Sequence, residues 1–185
     1  MQFLTSTYAQ TVSTLTDIRG NYFILNGGKD SVFVQGLKNE STQLLFFFFA
    51  AEEDPIGLDP GLSTDGRWRA LHLMQIFKTM RIGALISTPF RRNVLTIQPL
   101  SDAKKLEVNY YDQADLKALY DELKHLQSQE AVIMVHKETV SKIFEHYIQK
   151  PFTGNIENPS YDRIFVIERP VSGPCALHSF RYDIR

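Results

Sequence analysis

Two arginines and a histidine have surroundings that suit work on an anion. Arg91 and Arg92 follow Ser87-Thr88-Pro89-Phe90, and His136 closes the apolar run Ala131-Val132-Ile133-Met134-Val135. A continuous apolar run reads as a strand buried on both faces. A helix that starts just beyond it presents unpaired N–H groups and a partial positive charge. Guanidinium groups at one such strand end and an imidazole at another suit phosphate or a similar oxyanion. A third strand end follows Leu44-Leu45-Phe46-Phe47-Phe48-Phe49-Ala50, just before Ala51, Glu52, Glu53 and Asp54. There a phosphate-handling site would need a cation and a nucleophile, and Phe49 and Ala50 supply neither. Glu52 is a further candidate for the pocket, against the plainer reading that it faces solvent beside Glu53 and Asp54. Arg91 is the more exposed member of the arginine pair.

The elements that must position these residues alternate. Asn21-Tyr22-Phe23-Ile24-Leu25, the turn Asn26-Gly27-Gly28 and Ser31-Val32-Phe33-Val34 predict a hairpin, since Asn-Gly and Gly-Gly provide the positive φ that tight turns require. From Leu44 onward strands and helices alternate as in a parallel sheet covered on both faces. Ser63 predicts an N-cap, Ala70, Leu73, Met74 and Phe77 a helix face, and Gly83 the helix end. Ala84 to Ser87 is a strand, and Thr88-Pro89 predicts the start of a second helix with Arg91 and Arg92 in its first turn. Leu106 to Tyr110 is another strand, followed by a helix capped near Asp112 with Leu116, Leu119, Tyr120 and Leu123 on one face. After the strand ending at His136, Val140, Ile143, Phe144 and Tyr147 mark a helix that Pro151 stops. Beyond the loop from Gly154 to Pro159, Arg163 to Glu168 and Ala176 to Tyr182 read as a last, antiparallel pair. The expected fold is α/β and three-layered, with a mostly parallel central sheet, helices on both faces and an N-terminal β-hairpin. Residues 1–43 form the extension and residues 44–185 the main domain.

With 185 residues, 43% hydrophobic, the chain suits one well-buried domain. Its formal charge of −1 recommends neither nucleic acid nor an anionic membrane as partner, so any anion site must be local. The single Cys175 excludes an internal disulfide and a multi-cysteine zinc site, and reads as a buried small hydrophobe. His72, His125, His146 and His178 lack ligand spacing, so no metal and no cofactor is expected. The Phe run, flanked by Gln43 and Glu52, is too short to cross a bilayer. The expectation is a soluble, cytoplasmic protein; Thr7-Tyr8-Ala9 before Gln10 resembles the tail of an export signal, which keeps a periplasmic or exported location as the alternative. Trp68, between Arg67 and Arg69, could stack on a ligand but reads first as a packing residue at a helix start.

At these residues the chain resembles the histidine phosphatase superfamily, also called phosphoglycerate mutase-like, from about Leu44 onward. Phe49-Ala50-Ala51-Glu52 stands in the place of that family's Arg-His-x-Glu motif, whose His becomes phosphorylated and whose Arg holds the phosphoryl oxygens. Asp59-Pro60-Gly61-Leu62-Ser63 with Gly66 and Arg69-Ala70 is similar to "dPxLsxxGxxRA". Ser87-Thr88-Pro89-Phe90-Arg91-Arg92 with Thr96 is similar to "SsPxxRaxxT". Val132 to His136 resembles the strand leading to the second histidine, with Val135 where a glycine is usual, and Tyr161 to Val166 resembles late strands of small bacterial members. The resemblance implies that Arg92 is the pocket's second arginine and His136 its second histidine, that Glu52 is the motif glutamate, and that a general acid, where present, would be Asp112 or Asp115. Helix capping accounts for both aspartates as well.

A methyl group has no lone pair with which to attack phosphorus, so covalent catalysis at Ala50 is abolished. The expected function is that of a catalytically degenerate, histidine-phosphatase-like binding or regulatory protein with a remnant pocket for phosphate or a phosphorylated small molecule or peptide. Two alternatives stand beside it. One is a phosphatase or phosphotransferase, acting on phosphomonoesters or phosphohistidine, that uses a non-standard nucleophile or an activated water. The other is a module that self-associates, as a homodimer, through its N-terminal hairpin.

Overall fold

The computed structural model describes residues 13–37, 41–126, 130–154, 156 and 161–184. Its organising strand is β4 (Thr42–Phe48), every residue of which is buried. Alternation along β4 sends Leu44, Phe46 and Phe48 to one face and Leu45, Phe47 and Phe49 to the other, as the period of two in an extended chain requires. The apolar run is continuous because both faces are covered.

Around β4 lie the other five strands of the six-stranded main sheet, β5 (Ala84–Ser87), β6 (Val108–Tyr110), β7 (Ala131–Met134), β8 (Arg163–Pro170) and β9 (Ala176–Arg181), in the order β6-β5-β7-β4-β8-β9. The first four in that order run parallel, whereas β8 and β9 are antiparallel to their neighbours. On one face lie α1 (Thr64–Ile76) and α2 (Arg91–Lys104), which bury Leu73, Ile76, Ile97 and Leu100. On the other lie α3 (Leu116–His125) and α4 (Lys137–Ile148), which bury Leu119, Leu123, Val140, Ile143, Phe144 and Tyr147. Edge-to-face rings join the layers: Phe46 meets Phe77 at 4.9 Å between centroids, and Phe47 meets Phe144 at 5.7 Å.

The expected N-terminal hairpin is present as β2 (Tyr22–Leu25) and β3 (Asp30–Phe33), joined by a 3₁₀ turn over Asn26–Gly28. A third strand, β1 (Leu15–Arg19), was not apparent from the pattern; it pairs antiparallel with β2. This small sheet covers the α1/α2 side of the core, with Phe23 fully buried and its ring 5.2 Å from that of Phe180.

Several local expectations need correction. Helix α1 ends at Ile76, not Gly83: residues 77–80 turn tightly through Lys78 N–H to Gln75 O and Met80 N–H to Phe77 O. The Lys104 ammonium then donates to the carbonyls of Lys78 and Met80. Helix α2 begins at Arg91, two residues after Pro89; its N-cap, Phe90, offers no side-chain acceptor, and the Asp59 carboxylate accepts from Arg91 N–H instead. The N-cap of α3 is Asp115, which accepts from Ala118 N–H, while Asp112 closes the preceding turn. Trp68 is 58% exposed on α1 rather than packed, and Cys175 is half-buried against the α3/α4 side of the core. The loop from Gly154 to Pro159 falls mostly outside the described residues, as does Thr7-Tyr8-Ala9.

Candidate functional site

The carboxyl ends of β4, β5 and β7 lie side by side, which is where an open α/β sheet places its ligands. One hydrogen bond beyond the ladder, Val135 N–H to Phe48 O at 2.9 Å, carries the β4–β7 pairing to the strand ends and fixes Phe49-Ala50 beside Val135-His136. Phe49 is nearly buried, its ring edge-on to Phe165, while Ala50 is half-buried. Ala51 N–H donates to Thr96 Oγ1 at 3.0 Å, and Thr96 donates in turn to the Arg92 carbonyl, so α2 is tied directly to the turn after β4.

That turn is itself tightly built. Glu53 and Leu62 form an isolated antiparallel bridge, and Ser63 N–H donates to Glu52 O at 2.9 Å. Gly66 follows the Ser63 cap, and a Cβ there would lie 2.1 Å from Glu52 O, so only glycine lets α1 approach this closely. Arg69, 8% exposed, holds the Glu52 carboxylate through Nε at 2.8 and 2.9 Å and Nη2 at 2.5 Å, and donates through Nη1 to Tyr182 O. Burial pushes the Glu52 carboxyl up, yet the hydrogen bonds and charge of Arg69 outweigh it and hold the group below its ordinary value. Glu52 therefore clamps the turn to α1 and the C-terminal segment, and it is absent from the cavity lining described next.

A cavity of about 270 Å³ opens at the strand ends, lined by Phe49, Ala50, Ala51, Glu53, Arg92, Asn93, Val135, His136, Lys137, Glu138 and Tyr161. Arg92 and His136 share it. Arg92 Nη1 donates to Glu53 Oε2 at 2.5 Å, in a pair whose side chains are 40% and 36% exposed. Arg91, next in sequence, turns elsewhere and lines a separate cleft with Leu62, Arg67, Leu71 and Leu95.

His136 is the N-cap residue of α4 and is 7% exposed. Its Nε2 lies 2.8 Å from Thr88 Oγ1 and 3.4 Å from Asn93 Nδ2, and Asn93 also donates to Thr88 Oγ1 at 2.8 Å. Two donors converge on Nε2, which places the lone pair there and the ring proton on Nδ1. Burial lowers the His136 pKa, the Arg92 charge lowers it further, and Glu138 opposes both only in part. His136 is thus neutral near pH 7. A ring T-shaped to Phe90 at 5.3 Å completes its surroundings.

Glu53, Asn93, Lys137, Glu138 and Tyr161 were not singled out from sequence. Thr88 was read as a helix cap; its hydroxyl instead serves His136. The signals available were slight: Glu53 adjoins a candidate, and Asn93 follows one. Asp112 and Asp115 cap local turns and stand outside the cavity lining. His72 contacts Asp183 O, His125 Asp121 O, His146 the Tyr120 ring and His178 the Glu168 carboxylate.

No family model and no curated protein sequence matches the chain. Solved structures do. The protein histidine phosphatase SixA complexed with tungstate superposes with a TM-score of 0.59 at 14% identity, covering 75% of this chain and 96% of that one. A mycobacterial glucosyl-3-phosphoglycerate phosphatase gives 0.60 at 13%, covering 77% and 100%. The phosphoserine phosphatase of Entamoeba histolytica, in complex with 3-phosphoglyceric acid, gives 0.58 at 13%, covering 75% and 96%. At such identities the likeness speaks for architecture alone: the chain shares the α/β fold of these phosphatases, the phosphoglycerate mutase-like architecture expected from its sequence.

Proposed function

We propose that this chain is a catalytically degenerate, histidine-phosphatase-like protein that binds a phosphate-bearing ligand at the Arg92/His136 cavity and does not form a phosphohistidine. The observation that carries this reading is the cavity floor: Phe49, Ala50 and Ala51 line it, and none of them holds an electron pair for phosphorus. The imidazole that does line the cavity has its Nε2 lone pair engaged by Thr88 and is held neutral by burial and by Arg92. It is suited to donating one hydrogen bond, not to attacking. Arg92, in the first turn of α2, supplies the charge and the helix N-terminus that an oxyanion prefers. The structural neighbours include phosphatases in complex with tungstate and with inorganic phosphate, which supports an oxyanion as the class of ligand.

Incubation with aryl phosphates and phosphohistidine substrates tests the proposal. No turnover above background is expected, while inorganic phosphate perturbs the NMR signals of His136 in the wild type and not in Arg92→Ala. Turnover abolished by His136→Ala would overturn it and favour a water activated at Glu53, Glu138 or His136, which share the cavity.

A further inference from the structure

We infer that the cavity selects a zwitterion, a phosphate monoester carrying an ammonium group a few bonds from phosphorus, over a simple phosphate ester; this deepens the anion-pocket reading and rests on it. The charges that line the cavity cancel: Arg92 and Lys137 against Glu53 and Glu138, with His136 neutral. A phosphate monoester brings a charge of about −1.5 to −2. It would compete for the same guanidinium that Glu53 already holds at 2.5 Å. Binding a simple ester therefore strands a carboxylate beside a second anion.

An ammonium on the ligand removes that conflict. As Arg92 turns to the phosphate, Glu53 takes the ammonium, so the internal ion pair is exchanged for two new ones rather than lost. The existing pair is 40% and 36% exposed, a setting in which ion pairs part at little cost. Phe49 and Tyr161 line the same cavity, and aromatic residues suit a cation better than a second anion. At about 270 Å³ the space fits a ligand of few heavy atoms.

Two esters with the same two-carbon chain isolate the ammonium: 2-aminoethyl phosphate and ethyl phosphate, titrated calorimetrically at neutral pH against the full chain and against Glu53→Gln, with circular dichroism confirming the variant's fold. The wild type is expected to prefer the amino ester by roughly tenfold. Glu53→Gln is expected to tighten ethyl phosphate and weaken 2-aminoethyl phosphate. Equal affinities in the wild type, or a variant that shifts both esters in the same direction, would sink the zwitterion. If ethyl phosphate alone binds, the anion pocket stands and the selectivity falls; if neither ester binds either protein, both readings fall.

Discussion

Carboxylates Glu52 and Glu53 are adjacent in sequence and opposite in role. Glu52 faces Arg69 and is largely buried with it, whereas Glu53 faces the cavity and Arg92. Successive residues of extended backbone point to opposite sides, so one carboxylate is spent on structure and its neighbour is left at the site. His136 shows the same balance of site and scaffold. Its folded-state pKa lies below the ordinary 6.5, with burial the largest cause and the Arg92 charge the next. Below 6.5 the unfolded chain takes up the proton first, so this contribution to stability is complete above that pH and declines as the pH falls toward the folded value. A melting midpoint followed from about pH 7.5 to about pH 5.5 should fall less steeply in His136→Gln than in the wild type. Some slope will remain, because burial also lowers His72 and His146. Parallel curves would show that His136 is as easily protonated in the fold as out of it.

Helix ends, rather than helix faces, decide what the elements present to the cavity. The two ion pairs that flank the turn after β4 differ in exposure, and that difference orders their worth. The Arg69–Glu52 side chains are 10% and 21% exposed; removing one partner strands the other, so Arg69→Ala should cost about 3 to 5 kcal/mol. The half-exposed Arg92–Glu53 pair should lose no more than about 1 kcal/mol in Arg92→Ala. Urea denaturation of the two variants checks the order, and equal midpoints would refute it. Faces were legible in the sequence: the spacing of Val140, Ile143, Phe144 and Tyr147 marks the buried side of α4, and all four are buried. Ends were legible only where the cap is local, as at Ser63, whose hydroxyl accepts from Gly66 N–H. The start of α2 is stabilised by Asp59, 32 residues earlier, and the guanidinium of Arg92 is claimed by Glu53, 39 residues earlier. No window along the chain contains both partners of such a pair. That is why the arginine and histidine could be proposed from sequence while the charge balance around them could not.

Across the whole molecule, the N-terminal sheet and the main sheet share one body of apolar side chains, since Phe23, Phe46, Phe77 and Phe180 belong to a single buried cluster. We therefore propose that the boundary at residue 43 is one of chain organisation and expect both parts to unfold together. Phe23→Ala, which removes a fully buried ring, should lower global stability by about 3 to 5 kcal/mol while leaving one cooperative transition. A separate early transition would mark the N-terminal sheet as an independent unit.

The position of β4 has one more consequence, for the order in which the chain is made. Its two partners in the sheet, β7 and β8, begin at Ala131 and Arg163, so a ribosome must add more than eighty residues after Phe48 before the first is available. Until then the nascent polypeptide displays Leu44 to Phe49, a segment with neither charge nor proline, which is the kind that adheres to copies of itself. The strand that leads into the cavity is thus also one in need of a chaperone's cover during synthesis.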